Sequence, residues 1–512
     1  MIEENKSSMK NSVRRIIIAG IGVLIQIIWV VVLLMRLNEY SQIITLLTVA
    51  IELVLVLAVY SMDTNAAFKL PWIILITVAP IVGICVFFLF GRSGATKKVR
   101  ARYRKIDQQL FAYLDQDEQI IEELSKKDER LANDFKYLWK CASSPVYKNT
   151  DVKYYGDTCD AMAAQLEDMM QAKKFIFLEY HAIEMAESFQ ALRKVLMAKA
   201  REGVEIRILY DDAGCIGFLN PRFIKYMESM GIQCRVFNPI MPVLNIFMNN
   251  RDHRKITVID GKVAYTGGYN LADEYFNITH PYGQWKDSGI RFEGDAVQTA
   301  TILFLEMWNA LKEQDVDIEK YLPVYPYKAK EQGFFALYGD SPLDKEPAGE
   351  NVYMNLLRHA KKYIYFTTPY LILSDEMTRE LTGAAKRGVD VRIITPGIPD
   401  KKTIFQVTKS YYPQLLKHGV KIYEYTPGFM HEKQCICDGE IVVVGTINLD
   451  FRSLYLHFEN AALFCGYEAV SHVKEDFDAL FPICKDMSKE PSERTRRLRL
   501  SQLILRLFSP LM

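Results

Sequence analysis

The chain has 512 residues, half of them apolar, with 63 basic and 62 acidic side chains and a formal net charge of +1. That length exceeds what one hydrophobic core supports and predicts two or three folding units. The near-zero charge excludes a global basic field for gripping nucleic acid. Nine scattered cysteines without a C-x-x-C pair argue against a disulfide framework and a zinc site. Cys435 and Cys437, in a predicted strand, read as small buried apolar residues.

Apolar residues are concentrated at the start. Residues 16–35 form a 20-residue run whose only strongly polar member is Gln26. It is long enough to span a bilayer, too long for a cleaved signal peptide, and lacks a small-x-small cleavage site. Residues 43–60 form a second run with Glu52 near its centre; a carboxylate at that depth is costly. This segment either spans with Glu52 protonated or paired, or lies partly in the interface. Residues 70–90, with Pro71 and Pro80, form a third run. Behind it stand Arg92, Lys97, Lys98, Arg100, Arg102, Arg104 and Lys105 with no acid among them. The positive-inside rule therefore expects the following domains in the cytoplasm, on a multi-pass anchor in the cell membrane. Two or three spans remain open, and with them the side of the basic N-terminal tail.

After a helical linker the chain repeats itself. Residues 172–177 (AKKFIF) match 360–365 (AKKYIY), 201–208 (REGVEIRI) match 386–393 (KRGVDVRI), and 230–236 match 418–424. In each half strand-like runs (175–178, 204–209, 233–237 in the first) alternate with helix-like ones (188–201, 221–230), an α/β layer pattern. The expected fold is therefore α/β, with two tandem copies related by a pseudo-twofold axis and a cleft between them, preceded by N-terminal transmembrane helices. The expected boundaries are 1–105 for the anchor, 106–148 for the linker, 149–330 and 331–490 for the copies, and 491–512 for a tail. In that tail Arg494, Arg496, Arg497, Arg499 and Arg506 interleave with leucines. It reads as a basic amphipathic helix for an anionic lipid surface, or as a helix packed on the catalytic part with its arginines in water.

The chemistry lies inside the repeat. His253, Lys255 and Asp260, followed by Gly261, recur 178 residues later as His431, Lys433 and Asp438, followed by Gly439. Along a strand, residues i and i+2 point the same way, so each His and Lys share a face. Asp-Gly is a hairpin turn signal, and the returning strand ends at a glycine turn that brings Asn270 or Asn448 back beside the pair. Asp260 and Asp438 are candidates for chemistry or for shaping the turn, and the turn is the better reading. Two histidines, two lysines and two asparagines make a cleft rich in donors, suited to a phosphodiester anion. One imidazole can attack phosphorus while the other protonates the leaving alkoxide and then deprotonates the incoming alcohol. No metal or cofactor is called for, and no nucleotide-binding motif occurs.

These motifs resemble those of the phospholipase D superfamily, and over nearly the whole chain the similarity is to bacterial cardiolipin synthases. It extends to Gly283, Gln284, Trp285, Lys286 and Asp287 after the first motif, to Asn448, Asp450, Arg452, Ser453 and Asn460 after the second, and to the ending at 507–511. The first motif has Gly267 and Gly268 where the superfamily often has Gly-Ser. The resemblance implies two phospholipase D-like domains, with His253 as the nucleophile forming a phosphohistidine and His431 as general acid and base. Lys255, Lys433, Asn270 and Asn448 would hold the phosphate, and Asp287 and Glu459 would orient the imidazoles. Glu179 is a weaker cleft candidate. The implied reaction is phosphatidyl transfer between two phosphatidylglycerols, giving cardiolipin and glycerol. The partners are phosphatidylglycerol, other anionic phospholipids and the bilayer. Hydrolysis, a phosphatidylethanolamine donor and a non-catalytic adaptor are the alternatives.

Overall fold

The computed structural model describes residues 42–88, 97–219, 222–239, 249–313, 315–490 and 500–511, with scattered helical positions between 21 and 35. The first repeat contributes strands β1 (Thr150–Tyr155), β2 (Phe175–Tyr180), β3 (Glu205–Asp211), β4 (Gln233–Phe237), β5 (Arg251–Asp252), β6 (Lys255–Ile259), β7 (Val263–Gly267), β8 (Gln284–Lys286) and β9 (Gly289–Gly294). The second contributes β10 (Phe334–Asp340), β11 (Tyr363–Thr367), β12 (Asp390–Pro396), β13 (Lys421–Tyr425), β14 (Gly428–Met430), β15 (Gln434–Cys437), β16 (Ile441–Gly445), β17 (His457–Cys465) and β18 (Cys484–Asp486).

The duplication is visible in strand order. The first sheet runs β1-β9-β7-β6-β2-β3-β4 and the second β10-β17-β16-β15-β11-β12-β13, with β18 added at its edge. β2, β3 and β4 are parallel, as are β11, β12 and β13. β2 and most of β3 are buried, as parallel strands covered on both faces should be. The two sheets share one core. Phe177 stacks on Phe304 of the buried helix Val297–Leu311 at 4.5 Å, and Phe292 meets Phe335 of the second sheet at 4.9 Å. All nine cysteines are free thiols, and Cys435 and Cys437 are buried in β15.

The N-terminal part is described in pieces. The run at 16–35 falls largely outside the described residues. The second run is the helix Gln42–Tyr60, with Leu46, Leu47, Leu53, Val54 and Leu57 exposed. Within the run at 70–90 the helix is interrupted at Ala79. Helix Ala66–Val78 ends at Ala79 (φ −137°, ψ 72°) and a second helix, Pro80–Val86, begins. The cause is Pro80, which disfavours helical backbone at the residue before it. The chain then folds back so closely that a Cβ on Gly83 would lie 2.5 Å from the Leu75 carbonyl oxygen. Among the described residues no helix is long and apolar enough to cross a membrane. Helix Ala66–Val78 is fastened to the second repeat by Phe68, edge-on to Phe451 and Tyr455 at 5.5 Å each. The C-terminal helix Leu500–Phe508 lays Arg506 over the Tyr411 ring at 4.1 Å and leaves Leu500, Leu503 and Ile504 exposed.

Candidate active site

Two short parallel ladders join the repeats and place both histidines. β5 pairs with β17, Asp252 opposite Phe458, and the His253 N–H donates to the Phe458 carbonyl at 2.9 Å. β14 pairs with β8, Met430 opposite Lys286, and the His431 N–H donates to the Lys286 carbonyl at 2.8 Å. Each histidine thus lies beside the next residue of the opposite repeat, and that residue is a carboxylate. His253 Nδ1 is 2.9 Å from Glu459 Oε2, and His431 Nδ1 is 2.6 Å from Asp287 Oδ2. The two carboxylates do face the imidazoles, but each serves the histidine of the other copy.

The carboxylates are held differently. Glu459 Oε2 also accepts from the Thr446 hydroxyl, whereas Asp287 Oδ1 accepts the Ser288 N–H at 3.0 Å. The residue matching Thr446 is Gly268, where a Cβ would meet Asp287 Oδ1 at 2.0 Å. The Gly-Gly pair of the first motif therefore makes room for the carboxylate of His431.

His253, Lys255, His431 and Lys433 are all buried. Lys255 Nζ donates to the His253 carbonyl at 2.7 Å, while Lys433 Nζ stands 2.7 Å and 3.0 Å from the two ring nitrogens of His431. Burial first, then the neighbouring lysine charges, holds both imidazoles well below the usual histidine range. Burial likewise pulls Lys255 down to about 8 and Lys433 down to about 7. A lysine with a lowered pKa is cationic below that value and neutral above it. The expected outcome is a kcat/KM that falls as pH rises through about 7 to 8, because that ratio reports free-enzyme groups. Initial rates on micelles of fixed lipid composition measure it, and a flat profile from pH 6.5 to 9 would contradict it.

Asn270 Oδ1 accepts the Ala182 N–H at 3.1 Å and its amide donates to Tyr275 at 2.8 Å. Asn448 is buried, and its Oδ1 has no hydrogen-bond partner among the described residues. Asp260 and Asp438 are a correction as catalytic candidates. Both sit at the far end of β6 and β15, in Asp-Gly turns with positive φ (54° and 55°), about five residues or ~16 Å of strand from the lysines. Asp260 accepts the N–H groups of Lys173, Lys174 and Phe175, and Asp438 those of Lys361, Lys362 and Tyr363, all within 2.9 Å. Their work is to tie each hairpin to the start of its neighbouring strand. Glu179 also lies off the site. It pairs with Ile256 in the register and so shares that residue's face rather than that of Lys255. Burial and the nearby Asp252 push its carboxyl well up.

Two further histidines flank His253. The His181 ring is 5.0 Å and the His457 ring 5.5 Å from it, centroid to centroid. His181 follows β2 at the carboxyl end of a parallel strand, where α/β proteins collect site residues. His457 precedes Glu459 by two positions and so shares its side of β17. Those placements were the available signals.

Comparison with known proteins gives the family. Residues 166–308 and 353–481 match the family described as "Cardiolipin synthase, PLD-like domain". The chain belongs to this family. An uncharacterized protein of Streptococcus mutans serotype c is 39% identical, over 90% of this chain and 99% of its own length. A cardiolipin synthase of Halalkalibacterium halodurans is 32% identical over 86% of this chain and 87% of that one. Cardiolipin synthase 2 of Bacillus anthracis is 31% identical, covering 86% of each. The crystal structure of phosphatidylserine synthase from Haemophilus influenzae shares the fold, with a TM-score of 0.54 at 14% identity over 70% of this chain and 93% of that one. The synthase family thus covers both repeats, including the histidines, lysines and crossed carboxylates.

Proposed function

We propose that the chain is a phosphatidyltransferase that joins two phosphatidylglycerol molecules into cardiolipin and releases glycerol. The observation that carries this reading is the crossed pair of carboxylate-held imidazoles, each with a lysine at i+2, in a chain of the cardiolipin synthase family. Nε2 of neutral His253 attacks the phosphorus of the donor. The phosphorus–oxygen bond to glycerol breaks, and His431 gives its proton to the departing oxygen. His431, now neutral, takes the hydroxyl proton of a second phosphatidylglycerol, whose oxygen displaces His253 and restores it. Lys255, Lys433, Asn270 and Asn448 hold the non-bridging oxygens. Burial and then the lysine charges hold His431 low; a bound phosphodiester anion offsets those charges and, with Asp287 on Nδ1, favours the protonated ring. One phosphodiester replaces another, so no nucleotide is consumed.

Asymmetry between the repeats supports the assignment of roles. Both lysines donate to the carbonyl of their histidine, but among the described residues Lys433 alone also contacts the ring nitrogens, those of His431. The His253 ring is thereby the freer nucleophile. For location, we infer a multi-pass N-terminal membrane anchor with the repeats on the cytoplasmic side. The exposed leucines of helix Gln42–Tyr60 and of the C-terminal helix support it, since apolar faces of that extent call for a partner. The basic run at 92–105 sets the orientation.

The test is incubation of the purified full chain with phosphatidylglycerol in detergent micelles, with lipids read by mass spectrometry. Cardiolipin and glycerol in equal amounts are expected. Phosphatidic acid as the sole product would make the protein a hydrolase, and absence of turnover would make it an adaptor.

A further inference from the structure

His457 lies beside the catalytic pair without taking part in the mechanism above. It stands at the start of β17, opposite Arg251 in the short ladder that positions His253, and its side chain is 11% exposed, as is that of His253. Arg452 Nε is 3.2 Å from His457 Nε2. A guanidinium only donates, so Nε2 must accept, and the ring proton of neutral His457 belongs on Nδ1. Nδ1 faces Glu459 Oε1 at 3.6 Å, and these two buried atoms are each without a hydrogen-bond partner among the described residues. A shift of a few tenths of an ångström joins them. The other oxygen of the same carboxylate holds His253.

The pseudo-twofold partner of His457 sharpens the point. β8 and β17 occupy equivalent places, with Asp287 matching Glu459, and the residue two before Asp287 is Trp285. Trp285 presents an apolar ring to His431 at 5.1 Å, packed with Tyr275 and Phe429. One repeat therefore backs its site with an indole and the other with an imidazole that a guanidinium has fixed in one tautomer.

We propose that His457, held by Arg452, is a positioning residue that fastens the free oxygen of Glu459 and so locks His253 in the Nδ1–H tautomer, with Nε2 open for attack on phosphorus. This rests on the phosphatidyl-transfer reading for its kinetic consequence, and on the geometry alone for the tautomer. His253, His457 and Glu459 also lie close enough to hold a metal ion, their ligand atoms within 4.8 Å of one another. Donation from Arg452 argues against that use, because it leaves Nδ1 protonated where a metal needs a lone pair.

The experiment compares His457→Leu with His457→Asn in the full chain, since the asparagine amide can place an N–H where Nδ1–H stands. His457→Leu is expected to lower kcat about 10- to 100-fold with KM little changed, and His457→Asn to restore most of that loss. Independently of any lipid, nitrogen NMR of ¹⁵N-histidine-labelled protein should show one His253 tautomer in the native chain and a mixture in His457→Leu. Native kcat and an unchanged His253 tautomer in His457→Leu overturn the proposal. So does an equal loss in both variants accompanied by a lowered melting temperature, which marks a packing role. Stoichiometric Zn²⁺ binding that is lost in His457→Leu replaces positioning by chelation and overturns it too. A native chain that fails to turn over phosphatidylglycerol while the NMR result holds would defeat the lipid reading and leave the positioning role intact.

Discussion

His253→Ala and His431→Ala each lower cardiolipin formation by at least about 10⁴-fold, the scale on which removal of one member of a catalytic unit acts. They fail at different steps. His431→Ala keeps the nucleophile and loses the proton for the leaving glycerol. A donor whose leaving group departs as a stabilised anion, such as a phosphatidyl ester of p-nitrophenol, bypasses that need. His431→Ala then gives one burst of p-nitrophenolate and a phosphatidyl adduct that mass spectrometry finds on residue 253. His253→Ala gives neither burst nor adduct, whatever the leaving group. A burst from His253→Ala, or an adduct on residue 431 in the native chain, reverses the roles.

The second large effect comes from the crossed carboxylates. Asp287→Asn and Glu459→Gln preserve shape and remove charge. Each is expected to lower turnover about 10²- to 10⁴-fold, because the imidazole loses both its orientation and the anion that stabilises its cationic form. Their fingerprints are exchanged between the repeats. Asp287→Asn, in the first repeat, should behave like His431→Ala and recover its burst with the p-nitrophenyl donor. Glu459→Gln, in the second, should behave like His253→Ala and show none. Asp287→Asn combined with His431→Ala should cost little more than His431→Ala alone, since residues acting as one unit are strongly non-additive. Full additivity in that pair would break the link at 2.6 Å on which the assignment stands.

Much of the site was legible in the chain because its parts obey short-range periodicities. His and Lys at i and i+2 share a strand face, Asp-Gly makes a hairpin, and the second copy carries the same spacing. The partnership of Asp260 and Asp438 with the AKK segments was present too, as two repeats that travel together, but only the backbone hydrogen bonds show what links them. The crossing of Asp287 and Glu459 had no such signal. It depends on β5 and β8, strands of two and three residues that carry no hydropathy pattern of their own. A sequence repeat invites pairing within each copy, while a twofold cleft pairs across copies. His457 escaped notice for a related reason, since its counterpart is Trp285 and a search for duplicated residues passes over positions where the copies differ. At the N-terminus, hydropathy averaged over 70–90 saw an unbroken apolar run, while Pro80 and Gly83 turn the backbone on itself.

The short ladders between the repeats have a consequence for synthesis of the chain. Glu459 lies in the second repeat, yet it pairs with a histidine 206 positions earlier, in the first. A half-made protein on the ribosome, or the first half of a chain cut between the repeats, carries His253 without Glu459 and Asp287 without His431. Under the proposed mechanism such a species is expected to open phosphodiesters far more slowly than the closed fold. Under that mechanism full activity waits until both repeats are made and the two short ladders between them have closed.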